Sequence, residues 1–475
     1  MANLQAPDDL SRGSLPPVGR PASPHLSEAG KSISEKIRAG IPLLRSKARE
    51  SEELTWLETE SMQLLHEAGV FKMTMPLEWG GLALGARDIV EVIATISEGD
   101  GSAGWMAFVG VGLRNALMLD ERAVKEIAAN AVDHVGPLIV GASVFATSVG
   151  DGRKVDGGWM VKGRWAFGSG CRFAPFALVG IEFDREHGSG RGVAVLTSDQ
   201  YDVIDDWHVM GLCGTSSNSL KVEAETFVPD YRFLDLAELP PRLDGLRETF
   251  SGAAFSQSGP ALLLVVTLSN VAITLGMARG ALDCFLEQAP KRKPFNLPYP
   301  TVAEMPTVHV AIGRARAMIN MAAAVIEGAA DDVDARAIAG LSVGFEEESE
   351  ITLGLAYASV LCEQAIELLQ RTMGSSTAAL SNPIQRFARD ARVLNSHGAL
   401  RIDPQAEITG RRLCGLQPFP MMGGALPDVT APPPGFAPPP GFAPPPGFAP
   451  PPGFTPPPGA VPPPGAVPPQ ALPPR

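Results

Sequence analysis

A chain of 475 residues, 45% of them hydrophobic, is long enough to bury a large core over two or three domains. Its formal net charge of −13 argues against a nucleic-acid partner, which usually shows as a basic surface. Five scattered cysteines (Cys171, Cys213, Cys284, Cys362, Cys414) and seven histidines, none at ligand spacing, leave no sequence case for a disulfide framework or a metal site and point to a reducing compartment.

Residues 1–31 read as a disordered lead-in, polar and proline-containing, without the apolar stretch of a signal peptide, so the expected location is cytoplasmic. Ser32-x-x-Glu35 has the form of a capping box and opens a helical pattern with Ile33, Ile37, Ile41 and Leu44 on one face. Pro42 is expected to kink or end that helix. Further helices are predicted over residues 52–68 and 86–98, and residues 101–119, rich in small and apolar side chains, read as a buried helix. Together these make an N-terminal helical domain over residues 32–134.

Over residues 135–236 glycines punctuate short alternating runs, the pattern of strands joined by turns. In the clearest run Trp159, Val161, Trp165 and Phe167 share one face, opposite Lys162 and Arg164. Helical periodicity returns over residues 237–416, with breaks predicted at 290–300, 329–334 and 374–383. Its longest apolar run, residues 261–266, is too short to cross a bilayer. Helices, then a β domain, then a helical bundle make an α+β architecture.

Residues 417–475 form a low-complexity Pro/Gly-rich tail in which A-P-P-P-G-F recurs four times from Ala431. So many positions lack an N–H that no internal hydrogen-bonded core can form, and extended polyproline II is expected. Two readings stay open: a passive solvated tail, or a row of aromatic contacts (Phe436, Phe442, Phe448, Phe454) that docks on a protein partner or shell by avidity.

Three segments carry a resemblance. The first, from Gly157 to Gly180, contains Trp165-Ala-Phe167-Gly-Ser169-Gly170. The second, from Asp205 to Asp230, contains Gly211-Leu-Cys-Gly-Thr215-Ser216-Ser217-Asn218 and ends in Phe-Val-Pro-Asp. The third, from Gln370 to Asp403, contains Gln370-x-x-x-Gly374, Arg386-x-x-Arg389-Asp390 and His397. Over roughly residues 33–413 the chain resembles the acyl-CoA dehydrogenase superfamily, in its two-component flavin-dependent monooxygenase branch, which holds 4-hydroxyphenylacetate hydroxylases, steroid-ring hydroxylases and dibenzothiophene monooxygenase.

The resemblance implies an acyl-CoA dehydrogenase-like fold, usually a homotetramer, that binds reduced FMN or FAD supplied by a separate flavin reductase and forms a C4a-hydroperoxide with oxygen. It implies that Trp165, Phe167, Ser169, Gly170 and Trp207 lie near the flavin ring, with the Ser169 hydroxyl accepting from flavin N5–H. Thr215, Ser216, Ser217 and Asn218 would hold polar edges of the cofactor, and Arg292, Gly374 and Arg389 would complete its site. In a dehydrogenase the base that removes a substrate proton would align with Gly398, and the alternative base position on the helix after the β domain has no acidic residue before Asp283. His397 stands beside the empty position and suits proton management near the peroxide or a phenol-like substrate. Where relatives carry a substrate histidine on the buried helix, this chain has Arg114 and Asn115; Arg114 either meets an anionic substrate group or is a surface or ion-paired arginine. No G-x-G-x-x-G stands at a strand-to-helix junction, so NAD(P)H is not expected to bind here. The expected activity is hydroxylation of an aromatic or heteroatom-containing small molecule. An acyl-CoA dehydrogenase or flavin oxidase with a relocated base, and a catalytically idle scaffold acting through the tail, are the other readings.

Overall fold

The computed structural model describes residues 25–418, apart from residues 132, 145–149 and 186–187. Most of the N-terminal lead-in and the proline-rich repeat lie outside the described residues. Helix α1 (Glu28–Leu54) starts four residues before the predicted capping box, because Ser27 is the cap and its hydroxyl accepts from Gly30 N–H. Pro42 lies inside α1 without ending it, and the buried stripe Ile33, Ile37, Ile41, Leu44 and Ala48 runs straight past it. The single predicted segment 52–68 is broken at Thr55, which adopts φ 64°, before α2 (Thr59–Ala68). Helix α3 (Ala86–Ser97) is buried along its whole length. The apolar segment after it is two helices, α4 (Gly101–Val111) and the short α5 (Leu113–Ala116), followed by α6 (Glu121–Ala129).

Among the described residues eight strands follow: β1 (Ile139–Ala142), β2 (Gly150–Val155), β3 (Gly158–Trp165), β4 (Phe176–Arg185), β5 (Gly188–Thr197), β6 (Asp202–Ile204), β7 (Ser219–Pro229) and β8 (Phe233–Asp235). They form one sheet in the order β6-β7-β3-β2-β4-β5-β8, with β1 pairing in parallel with β4 ahead of β2 on the same edge. Residue alternation places Ala177, Val179 and Ile181 of β4 in the large core shared with the helices, whereas Phe176 and Leu178 face a second, smaller core. The register of β3 on β7 shifts between Val161 and Gly163. Phe167 lies beyond the end of β3 and, unlike Trp159, Val161 and Trp165, is 66% exposed.

The chain then returns to helices: α7 (Leu239–Thr249), α8 (Gly259–Gln288), α9 (Pro306–Ala339), α10 (Phe345–Met373), α11 (Pro383–Asn395) and α12 (Ile402–Leu413). Helices α8 and α10 are long and apolar enough, by length and composition, to cross a membrane, yet α8 is the central core helix, packed against α3, α4, α9, α10 and α11. Helix α9 runs unbroken through residues 329–334, where a break was expected. Its carboxylates there have partners: Asp334 accepts from Ala86 N–H and Arg87 N–H at the start of α3, and Asp331 lies 3.7 Å from Arg87.

Candidate active site

Helix α4 is the spine on which the separate sequence segments meet. Asp100 caps it, accepting from Ser102 N–H at 3.2 Å. A side chain at Gly101 would collide with Met277 and touch Asp390 of α11, and one at Gly214 would press on Ser102, so the small residues at the start of α4 admit α11 and the 205–218 loop. Further along, Trp105 faces His397, with ring centroids 5.6 Å apart, and Met106 lies against Gly170. The two regions holding Ser169 and His397 therefore abut consecutive residues of one helix.

Beside α4 the turn after β3 meets the loop before β7. Gly168 N–H donates to Asn218 O and Gly170 N–H to Thr215 O, tying the two together. The Ser169 hydroxyl is 2.7 Å from that of Ser217, which is 2.7 Å from Thr215 Oγ1, which donates to Leu212 O at 2.8 Å. Phe167, Leu212 and Ser216 all hold left-handed backbone, at φ 61°, 54° and 48°. Each costs on the order of 1 kcal/mol outside glycine, and such strain concentrates at functional sites. Phe167 and half-buried Trp207 meet edge to face at 6.2 Å. Exposed Phe167 and half-buried Trp207, on the two segments that hold the buried Ser169 hydroxyl, suit a planar aromatic ring presenting an N–H at its edge, so these residues fit a flavin.

His397 follows α11. Its surface is exposed, but it sits among enough protein, Trp105 included, for desolvation to hold its pKa below the ordinary value. Its Nδ1 accepts weakly from Ala399 N–H at 3.4 Å, which assigns the neutral-ring proton to Nε2. Gly398 is exposed, and a Cβ there would meet nothing among the described residues within 4 Å. The other base position is empty too: Asp283, near the end of α8, pairs with Arg45.

Several expected cofactor or substrate contacts take other roles. Trp165 has no exposed surface and donates to Gly180 O at 2.6 Å, so it is a core residue of the sheet. The side chains of Ser216 and Asn218 are fully buried and satisfy each other and Ile204 O; they shape the loop from behind. Arg389 donates to Gln385, to Met210 O and to Glu52, so its guanidinium ties α11 to the loop and to α1. Arg292, after α8, and Gly374, capping α10 at φ 89°, stand on the helical bundle; among the described residues no hydrogen bond or ion pair joins either to the 165–218 cluster. Arg114 is 6% exposed and its Nη2 donates to Ala254 O at 2.5 Å and Gln257 Oε1 at 2.9 Å. Burial pushes its pKa down to about 9, with Asp334 opposing, and the residue acts as an internal link rather than a surface for substrate.

Other participants escaped sequence reasoning. Trp105 has a buried Nε1–H that finds no hydrogen-bond partner among the described residues and lies beside His397. Asp100 and Asp390 are both buried, with Arg386 and Glu52 nearby. Burial raises the Asp100 carboxyl to about 6 against the opposing charge of Arg386. Burial, with Asp100 adding to it, raises Asp390 to about 7 although Asp390 accepts from Leu212 N–H at 2.6 Å. Asp390 is visible in sequence only as part of Arg389-Asp390, and nothing in the spacing assigns it Leu212 as its partner.

Residues 268–402 match the family described as acyl-CoA dehydrogenase, C-terminal domain. The chain is 29% identical over 371 residues, 77% of its own length and 94% of the relative's, to the flavin-dependent monooxygenase oxygenase subunit HsaA of Rhodococcus jostii. It is 24% identical to the oxygenase component of p-hydroxyphenylacetate 3-hydroxylase of Acinetobacter baumannii, covering 83% of this chain and 92% of that one. The crystal structure of 3-HSA hydroxylase from Rhodococcus sp. RHA1 superposes with a TM-score of 0.73 at 27% identity, over 82% of this chain and 99% of that one.

Proposed function

We propose, for a chain that belongs to the acyl-CoA dehydrogenase superfamily and to its flavin-dependent monooxygenase branch, the role of oxygenase component in a two-component monooxygenase. Its substrate is an aromatic or heteroatom-containing small molecule, and a separate reductase delivers reduced FMN or FAD. The observation that carries the reading is the pairing of a bare Gly398 with His397 against Trp105, where a thioester-oxidising enzyme needs a carboxylate.

Bound reduced flavin supplies the electrons that activate dioxygen. Phe167 and Trp207 provide apolar ring surface, and the Ser169 hydroxyl takes a hydrogen bond from the ring N–H. His397, neutral near pH 7, gives a proton from Nε2 to oxygen or takes one from a substrate hydroxyl after tautomer exchange. Trp105 fixes the imidazole edge-on.

Homotetramer formation and a cytoplasmic location belong to the same proposal. Exposed Met321, Val325, Ile338 and Tyr357 on α9 and α10 offer apolar surface for a second copy. Arg292 and Gly374, which no hydrogen bond or ion pair among the described residues joins to the ring site, suit a distal part of the cofactor reached across such an interface. The four phenylalanines of the tail serve a protein partner or shell. The test is a set of aromatic substrates supplied with a flavin reductase, NADH and 18O-labelled dioxygen. Incorporation of one labelled oxygen supports the proposal; anaerobic flavin reduction by an acyl thioester favours dehydrogenation instead.

A further inference from the structure

We infer that Thr215 and Ser217 are positioning residues whose hydroxyl chain, anchored on the Leu212 carbonyl, fixes Ser169 Oγ as a hydrogen-bond acceptor and so makes the site discriminate reduced from oxidised flavin. The inference rests on the flavin reading above.

A hydroxyl has one hydrogen to give, and a carbonyl oxygen can only accept. The hydrogen of Thr215 is committed to Leu212 O at 2.8 Å. Ser217, at 2.7 Å, must then donate to Thr215. Ser169, 2.7 Å from Ser217, must in turn donate to it. Reversing the chain would set the Thr215 oxygen lone pairs against the Leu212 carbonyl. Polarity therefore propagates from a group that cannot change role to the hydroxyl beside the candidate ring site.

The anchor is held from several sides. Leu212 N–H donates to Asp390 at 2.6 Å, and Trp207 Nε1–H also donates to Leu212 O, at 3.2 Å. Thr215, Ser217 and Ser169 are 1%, 5% and 8% exposed, so bulk water does not re-supply hydrogens to the chain. The neighbouring Ser216 hydroxyl points elsewhere, donating to Asn218 Oδ1 at 3.3 Å, and does not enter the chain.

Ser169 Oγ is left with lone pairs and no hydrogen to offer a ligand. Reduced flavin carries N5–H, a donor; oxidised flavin carries a bare N5, an acceptor. A fixed acceptor suits the first and opposes the second, whereas a freely rotating hydroxyl would serve both. One made hydrogen bond against one lone-pair contact separates the two affinities by about tenfold or more. That shifts the potential of the bound two-electron couple positive by about 30 mV per tenfold.

The experiment is anaerobic equilibrium titration of the full chain with oxidised and reduced FMN and FAD, together with the potential of the bound flavin. The wild type should bind the reduced form about tenfold more tightly or better. Ser217→Ala frees the Ser169 hydrogen to turn to oxidised N5, so the affinity ratio should fall toward one and the positive potential shift should vanish. Thr215→Val should do the same by removing the anchor. Ser217→Thr, which keeps the hydroxyl, should retain the wild-type ratio and guards against misfolding as the cause. A wild-type ratio that persists in folded Ser217→Ala overturns the inference and leaves the flavin reading intact. Failure of the wild type to bind either flavin in either state overturns both.

Discussion

The imidazole of His397 meets the indole of Trp105 edge-on, with planes at 69° and centroids 5.6 Å apart. The next residue of α4, Met106, touches Gly170 beside Ser169. One helix thus carries the neighbours of both the His397 imidazole and the turn that holds the Ser169 hydroxyl, although these are 228 residues apart (397 − 169) in the chain.

His397→Ala should leave flavin binding and oxygen consumption intact while product per reduced flavin falls about 10²-fold or more, the loss appearing as hydrogen peroxide. Because burial lowers the pKa of the ring, wild-type coupling should hold from pH 8 down through the ordinary histidine range and decline only below it. Quantifying product and peroxide in single turnovers across pH checks both. A decline centred above pH 7 would contradict the assignment.

Arg389→Met should loosen the 205–218 loop. It strips Glu52, whose side chain is 12% exposed, of its cation and Met210 O of a donor, at a cost of about 1–3 kcal/mol. Pairing it with Glu52→Gln should recover part of that loss. Thermal melts read the stability, and flavin titration should show weakened affinity.

Arg114→Met tests an internal link against a substrate contact. Ala254 O and Gln257 Oε1 lose their donor, a cost of about 1–3 kcal/mol partly offset by removal of a buried cation. A melting temperature lowered by a few degrees with unchanged KM is expected. Raised KM at unchanged stability would restore Arg114 to the substrate site.

Asp100 and Asp390 predict an acid-side gain in stability. Both carboxyls hold their protons more tightly folded than unfolded, so this contribution is complete below the ordinary carboxyl range and is lost as pH rises through about 6 and about 7. Asp100→Asn keeps a side-chain oxygen to cap Ser102 and removes one charge. Its stabilisation relative to wild type should grow by about 1–3 kcal/mol between pH 5 and pH 8. Paired melts that run parallel across that range would refute the shared buried charge.

Much of the fold was legible where a residue's own periodicity decides the outcome. Helix α3 lies within one residue of its predicted span because its cap glycine and continuous burial mark both ends. Local signals failed where a distant partner decides. Pro42 sits within a 27-residue helix stabilised by packing on both sides of it. The acidic run at 329–334 looked like a loop, but Asp334 caps α3 and stabilises the helix that carries it. Phe167 followed the alternation of β3 in the sequence, yet the strand ends at Trp165 and the positive φ of Phe167 turns it outward. For the candidate site, motif spacing singled out Ser169, Ser217 and His397, and the structure sets the first two in hydroxyl contact and the third against Trp105. The spacing carried no information on Trp105 or the Leu212 anchor, which meet them only through tertiary packing.

The most direct test of oxygenase function is to mix the protein with reduced flavin anaerobically, admit oxygen and follow the return of oxidised-flavin absorbance by stopped flow. The return should be much slower than for free flavin, accelerated in Ser169→Ala and accompanied there by more hydrogen peroxide. Reoxidation indistinguishable from free flavin, in wild type and variant alike, would contradict oxygenase function.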